Sequence, residues 1–259
     1  AWDLAQGSGV TIAILDSGID AAHPDLAPNL AGGYNVYDGN TNLADVCGHG
    51  TSVAGAAAAV HNNAIGVAGI AGRARIMPVR VAYKKATDGG CYAAYSTVAS
   101  GLIYAADHGA RVANVSYGGV TGSSSVTSAA NYMKSKGGLV FVSSGNTGSD
   151  QGYAPNSAMI VVGATDSSDK RASWSSYGSF VTLAAPGSGI WTTRMGNGYA
   201  AVNGTSYASP VAAGVAALMM AAAPTLDNGR IESLLTSTAV DLGTLGRDNY
   251  FGHGRVDAA

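Results

Sequence analysis

Ser206, His49, Asp16 and Asn146 are the residues whose types and settings suggest chemistry. Ser206 lies in NGTSYASPVAAGVAALMM, behind a Gly-Thr pair and at the mouth of an apolar segment. A serine there reads either as an N-cap, its hydroxyl accepting from an unpaired backbone N–H, or as a nucleophile. Thr205 and Ser209 compete for the capping role, and Pro210 reads as a first-turn residue, where a missing N–H is tolerated. A nucleophilic hydroxyl needs a base within hydrogen-bond reach, and the base needs a third group to hold its tautomer. Histidine suits the base because its pKa lies near neutrality. Of the five histidines, His108 falls near a helix C-terminus, His23 precedes a proline and His253 lies in a glycine-rich tail. Only His49, in DVCGHGTSVAGAAAAV, is framed by glycines and opens a small-residue helix. Asp16 after VTIAIL, Ser116 after VANV and Asn146 after LVFVSSG each end an apolar run. Singly, each also reads as a turn former.

Those apolar runs are the elements that must position the candidates. Val10–Leu15, Ile76–Val81, Val112–Val115, Leu139–Val142, Met159–Val162 and Val181–Ala184 are continuous and of strand length, as in strands buried on both faces. Helical patterns intervene: STVASGLIYAADHG from Ser96, ended by Gly109, and SSSVTSAANYMKSKGG from Ser123, ended by Gly137. The alternation predicts an α/β fold: a doubly wound, mainly parallel sheet with helices on both faces, one domain over residues 1–259. Ligands of such sheets bind beyond the carboxyl ends of the strands, where Asp16, Ser116 and Asn146 fall. Val211–Ala223 is apolar on every face, and its thirteen residues predict a core helix too short for a bilayer. With 47% hydrophobic and 12% charged residues, net charge −2 and no basic run, neither nucleic acid nor an anionic membrane is an expected partner. Thirty-seven glycines without a fixed period imply many tight turns. The opening Ala1-Trp2-Asp3 carries no signal-peptide pattern and reads as a processed form. Cys47 and Cys91 fit either two buried thiols or one disulfide.

Three segments taken together are more specific than any residue. AILDSGID around Asp16, GHGTSVAG around His49 and NGTSYASPVAAG around Ser206 resemble the active-site motifs of the subtilisin-like serine proteases, in that family's order. HPDL, NNAIGVAGIA, DSSDKRASWSSYG and APGSGI extend the resemblance along nearly the whole chain. The resemblance implies a secreted serine endopeptidase acting on proteins or peptides, with Ser206 as nucleophile, His49 as base then acid, Asp16 orienting His49, and Asn146 in the oxyanion hole. It also implies a monomer and a prosegment that assists folding. Tyr207, Ser52 and Val211 depart from residues the family commonly carries there, a methionine and two histidines, but none is a triad position.

The resemblance implies finer features too. The side-chain pocket before the scissile bond is formed by Ser116, Tyr117 and Gly118 on one wall and Ser143, Ser144 and Gly145 on the other, with a floor near Gly152. Glycine-lined and without an acid in those segments, it predicts a large apolar or aromatic preference; Asp150 nearby is the route to a basic one. A structural calcium ion is expected at the loop HNNAIGV, with Asn63 giving a side-chain oxygen, His61, Ile65 and Val67 carbonyls, and Asp25 a carboxylate. Only fifteen residues precede Asp16, so a ligand that relatives supply from an N-terminal segment is missing from the expected set. Cys47, two residues from His49, and Cys91, in a loop near the substrate cleft, are expected to pair in a secreted protein. Competing readings are a transacylase using the same acyl-enzyme, a non-catalytic binding module, and an esterase, which lacks its G-x-S-x-G elbow here.

Overall fold

The apolar runs become strands because their two faces meet two different helix layers. The computed structural model describes residues 1–258. In chain order the elements are β1 (Thr11–Asp16), β2 (Tyr34–Asn35), α1 (His49–Ala58), β3 (Arg75–Arg80), β4 (Ala82–Lys84), β5 (Cys91–Ala93), α2 (Tyr95–Asp107), β6 (Val112–Val115) and α3 (Ser124–Ser135). They continue with β7 (Leu139–Ser143), β8 (Ile160–Thr165), β9 (Leu183–Pro186), β10 (Ile190–Arg194), β11 (Gly198–Val202), α4 (Thr205–Ala222) and α5 (Asn228–Ser237). Seven strands form one sheet in the order β2-β3-β1-β6-β7-β8-β9, every pairing parallel. Along β1 the side chains alternate: Ile12 and Ile14 join the layer of α1 and α4, Ala13 and Leu15 that of α2 and α3. The sheet is doubly wound, as expected. It grows in opposite directions from β1 and β6, so Asp16 and Ser116 stand at the switch point where such folds bind ligands.

Three expectations are corrected. The last predicted strand begins two residues late: Val181 is held in a turn, its N–H donating to Gly178 O, and pairing starts at Leu183. The short β2 and the antiparallel hairpins β4–β5 and β10–β11 lie outside the apolar runs, and their short, mixed polar and apolar patterns hid them. Helix α4 has 18 residues and starts at Thr205, so Pro210 sits in its second turn rather than its first. By length and composition α4 is able to cross a membrane, but 78% of it is buried within the protein, so burial and not length marks it as a core helix. Neither Thr205, Ser206 nor Ser209 caps α4, whose N-cap Gly204 has no side chain to do so. The capping oxygen comes from Asn146.

Candidate active site

Asp16 is 1% exposed at the end of β1, and its carboxylate faces the first residue of α1. His49 Nδ1 lies 2.8 Å from Asp16 Oδ1 and 3.0 Å from Oδ2, while Ser17 N–H donates to Oδ1 at 2.7 Å. Gly50 makes this approach possible: a Cβ there would lie 2.2 Å from Gly18 O. The N-terminus of α1 is tied by a second carboxylate. Asp45, 7% exposed, accepts Ser17 Oγ–H, Cys47 N–H and Gly48 N–H on Oδ1, and Thr51 N–H and Oγ1–H on Oδ2. Burial alone would raise the Asp45 pKa, but those donors prevail and hold it below its usual value. For His49, burial pulls the pKa down, yet the charge and hydrogen bond of Asp16 and the charge of Asp45 outweigh it, leaving the imidazole raised above 6.5. Its ring is flanked by Tyr117 and Tyr207, at centroid distances of 6.2 and 5.9 Å. Burial and the Asp16 charge push the Tyr207 phenol up to about 12, and the same causes hold Tyr117 far above its ordinary range, so both stay neutral.

At Ser206 the local chemistry follows from Pro210. A proline four residues on cannot donate to the Ser206 carbonyl, which the helix therefore leaves unpaired. Ser116 Oγ–H fills the gap at 2.8 Å, itself accepting Asn114 Nδ2–H at 2.9 Å, and Asn114 Oδ1 accepts Ser209 Oγ–H at 2.6 Å. In return, Ser206 Oγ–H donates to the Ser116 carbonyl at 3.2 Å, so the hydroxyl rests on Ser116 rather than on His49. Asn146 joins the group through its oxygen: Oδ1 accepts Thr205 N–H at 2.9 Å and Thr205 Oγ1–H at 2.8 Å. A backbone N–H can only donate, which fixes the amide's orientation and leaves Nδ2 facing the other way.

The two expected pocket walls meet: a Cβ on Gly118 would lie 3.6 Å from Gly145 Cα. Ser143 closes β7, and Ser144 is pinned by its N–H to Val162 O and its Oγ–H to Ser176 O. Tyr117 and Gly118 also line a cavity of about 320 Å³ with Cys91 and Tyr95. Gly152 stands apart, in a turn at φ +65° with no atom within 4 Å of its Cβ position, and its N–H donates to Asp150 Oδ1. Cys47 and Cys91 form a disulfide, Cα–Cα 6.2 Å, that ties the approach to α1 to strand β5.

The loop expected to hold calcium gathers around Asp25, which is fully buried. Its carboxylate accepts Asn63 Nδ2–H and, at 3.0 Å, Val67 N–H. Asn62, Ala64 and Gly66, at φ 56°, 60° and 53°, curl the loop tightly, and the Trp2 ring packs on His61 at 4.3 Å. No cluster of three acidic, histidine or cysteine side chains suits a metal among the described residues. One buried carboxylate, an amide able to turn its oxygen inward and loop carbonyls make a hard oxygen set that fits calcium. The sequence reading missed Asp45 and Asn114, and took Ser209 and Thr205 only as capping candidates. Asp45, four residues before His49 and just ahead of a helix, carried a signal; Asn114 and Ser209, set in apolar runs, did so only as buried polar residues in need of partners.

The sequence model of the subtilase family matches residues 7–254 of this chain. Thermitase of Thermoactinomyces vulgaris is 42% identical over 263 residues, covering 100% of this chain and 90% of that protein. Subtilisin BL of Lederbergia lenta is 42% identical over 254 residues, 97% of this chain and 90% of that protein. A solved protease structure from Pseudoalteromonas arctica matches with a TM-score of 0.85 at 31% identity, over 99% of this chain and 90% of that one.

Proposed function

The chain belongs to the subtilase family and is a subtilisin-like serine endopeptidase, and from that premise we propose that Ser206 is its nucleophile, His49 its base and acid, Asp16 the group that orients His49, and Asn146 an oxyanion donor. Asp16 holds the proton on His49 Nδ1, which keeps Nε2 free to accept. Ser206 Oγ–H leaves the Ser116 carbonyl, gives its proton to Nε2, and the oxygen attacks the scissile carbonyl carbon. The oxyanion is met by Asn146 Nδ2–H and by Ser206 N–H, one of the first helix donors that has no acceptor within α4. His49 then protonates the leaving amine, and water reverses the sequence to release the acid. The observation that carries this reading is the 2.8 Å pairing of buried Asp16 with His49. A sulfonyl fluoride should add one group to Ser206, read by mass spectrometry of the peptide, and Ser206→Ala should keep the fold while losing casein hydrolysis. Casein digestion by the alanine variant at the parent rate refutes the assignment.

The finer specificity belongs to the same reading. Ser116–Tyr117–Gly118 and Ser143–Ser144–Gly145 would bind a large apolar or aromatic residue before the scissile bond, with Gly152 toward the floor of that pocket. The turn at Gly152 holds one oxygen of Asp150, which weighs against a basic preference. Peptides with Phe or Leu there should lead in kcat/KM, and a lysine peptide cleaved fastest overturns the pocket. Asp25, Asn63 and the carbonyls of His61, Ile65 and Val67 would hold one calcium ion, which supplies positive charge to a buried carboxylate and stiffens the loop. Calcium should raise Tm and a chelator lower it; superimposed melts reject the ion. Secretion, folding as a single-domain monomer and help from a prosegment complete the reading.

A further inference from the structure

A second cavity, of about 630 Å³, opens against His49 and Tyr207 on the far side of the disulfide from the one lined by Tyr117 and Gly118: Cys47 borders the first, Cys91 the second. On the reading proposed above, the acyl half of a substrate lies along Tyr117 and Gly118. The chain beyond the scissile bond, whose nitrogen His49 protonates, then enters the cavity bordered by His49. Apart from His49, the one side chain lining that space that is charged near neutral pH is Arg194, at the end of β10.

Arg194 is exposed and makes no ion pair among the described residues. Its strand is nevertheless fixed. Thr192 Oγ1–H donates to Ser52 O at 2.6 Å and Thr193 Oγ1–H to Thr51 O at 2.7 Å, fastening β10 to the helix that carries His49. Beyond it, Gly196 N–H donates to Asp20 Oδ2 at 2.8 Å, anchoring the turn. A guanidinium mounted on a braced strand keeps its place relative to the scissile bond, and its planar fork matches a carboxylate. The nearby acids are engaged elsewhere: Asp16 with His49, Asp45 with the start of α1, and Asp20 with Gly196 and Ala22 N–H groups.

We propose that Arg194 selects substrates carrying a carboxylate on the leaving-group side of the scissile bond, as an Asp or Glu side chain or as the α-carboxylate of a chain ending there. The test compares quenched fluorogenic peptides that share the acyl half and carry Glu, Gln or Lys at each of the first three positions after the scissile bond. Short peptides ending at those positions as acid or amide are run beside them. The parent should favour Glu over Gln at one position by about fivefold at low salt, the size of an exposed ion pair, and the preference should shrink as salt screens it. Arg194→Gln should level the series and Arg194→Glu should turn it toward Lys. A nitrophenyl ester, whose leaving group carries no residue into the cavity, should be hydrolysed equally by all three proteins. A gain for the free acid over the amide assigns the α-carboxylate; a gain confined to internal Glu assigns the side chain. Equal rates for Glu and Lys in the parent, or one ratio in all three proteins, overturn the role of Arg194 and leave the triad standing. A parent that cleaves neither peptide nor ester overturns the active-site reading and this inference together.

Discussion

His49 is subject to opposing demands. Burial favours its neutral form, and the charges of Asp16 and Asp45 favour the protonated one more strongly, so its pKa lies above 6.5. The base works neutral, hence kcat/KM should climb with pH through a pKa higher than that of free imidazole. The stability sign is opposite: a raised folded-state pKa stabilises most below the unfolded value, and that contribution fades as pH rises through the folded one. Asp45→Asn removes one charge that raises it, so the acid limb should move to lower pH. It also loses a buried charged acceptor at the start of α1, costing about 1–2 kcal/mol. Paired pH–rate profiles and denaturant melts measure both, and an unmoved limb with lowered stability would reduce Asp45 to a cap. Tyr207 carries a second prediction. With no thioether at that position, dilute peroxide should spare activity in the parent and inactivate Tyr207→Met. Met195 borders the same cavity and is 45% exposed, so the comparison belongs in a Met195→Leu background.

Helix α4 illustrates how an element can be recognised while its detail is missed. Its apolar run announced a buried helix, and Asp16, Ser116 and Asn146 fell at strand ends as read, because continuous β-branched runs have few other homes in a folded chain. What the pattern left open was the start of α4, since Thr205, Ser206, Ser209 and Pro210 all suit a first turn. Asn146, about sixty residues earlier, settles it by capping Thr205 N–H, a contact that no local window contains. The proline in the second turn has its own consequence. It frees the Ser206 carbonyl, and Ser116 supplies the missing donor. Ser116→Ala should therefore cost about 1 kcal/mol, the low end of the penalty for an acceptor left unpaired, because the Ser206 carbonyl is only partly buried. In a Pro210→Ala background the restored N–H closes the same carbonyl, so the Ser116 substitution should cost less there. Denaturation of the four proteins of that cycle decides it: simple additivity rejects the exchange.

At the scale of the molecule, the candidate residues share one edge of the sheet, where β1, β6 and β7 are neighbours. Asp16 ends β1, Ser116 follows β6 and Ser143 ends β7, while the hairpins β4–β5 and β10–β11 stand outside that sheet. Those hairpins were illegible because short exposed strands such as Cys91–Ala93 carry no periodic signal; they exist through long-range partners, as Thr192 and Thr193 do on α1. The disulfide belongs with them. Joining Cys47 to Cys91 closes a loop with a sequence separation of 44, for which chain entropy predicts about 4 kcal/mol of stabilisation. In a protein of this size that corresponds to roughly 10 °C in Tm. Self-digestion would obscure the melt of an active protease, so the comparison belongs in a Ser206→Ala background, with and without the Cys47→Ala/Cys91→Ala pair. The double replacement should melt roughly 10 °C lower, and adding reductant should lower the bridged protein toward it while leaving the bridgeless one unmoved. Coincident melts would mean that the segment from Cys47 to Cys91 is constrained without the bridge, and that the cleft owes its stability to the hairpin contacts instead.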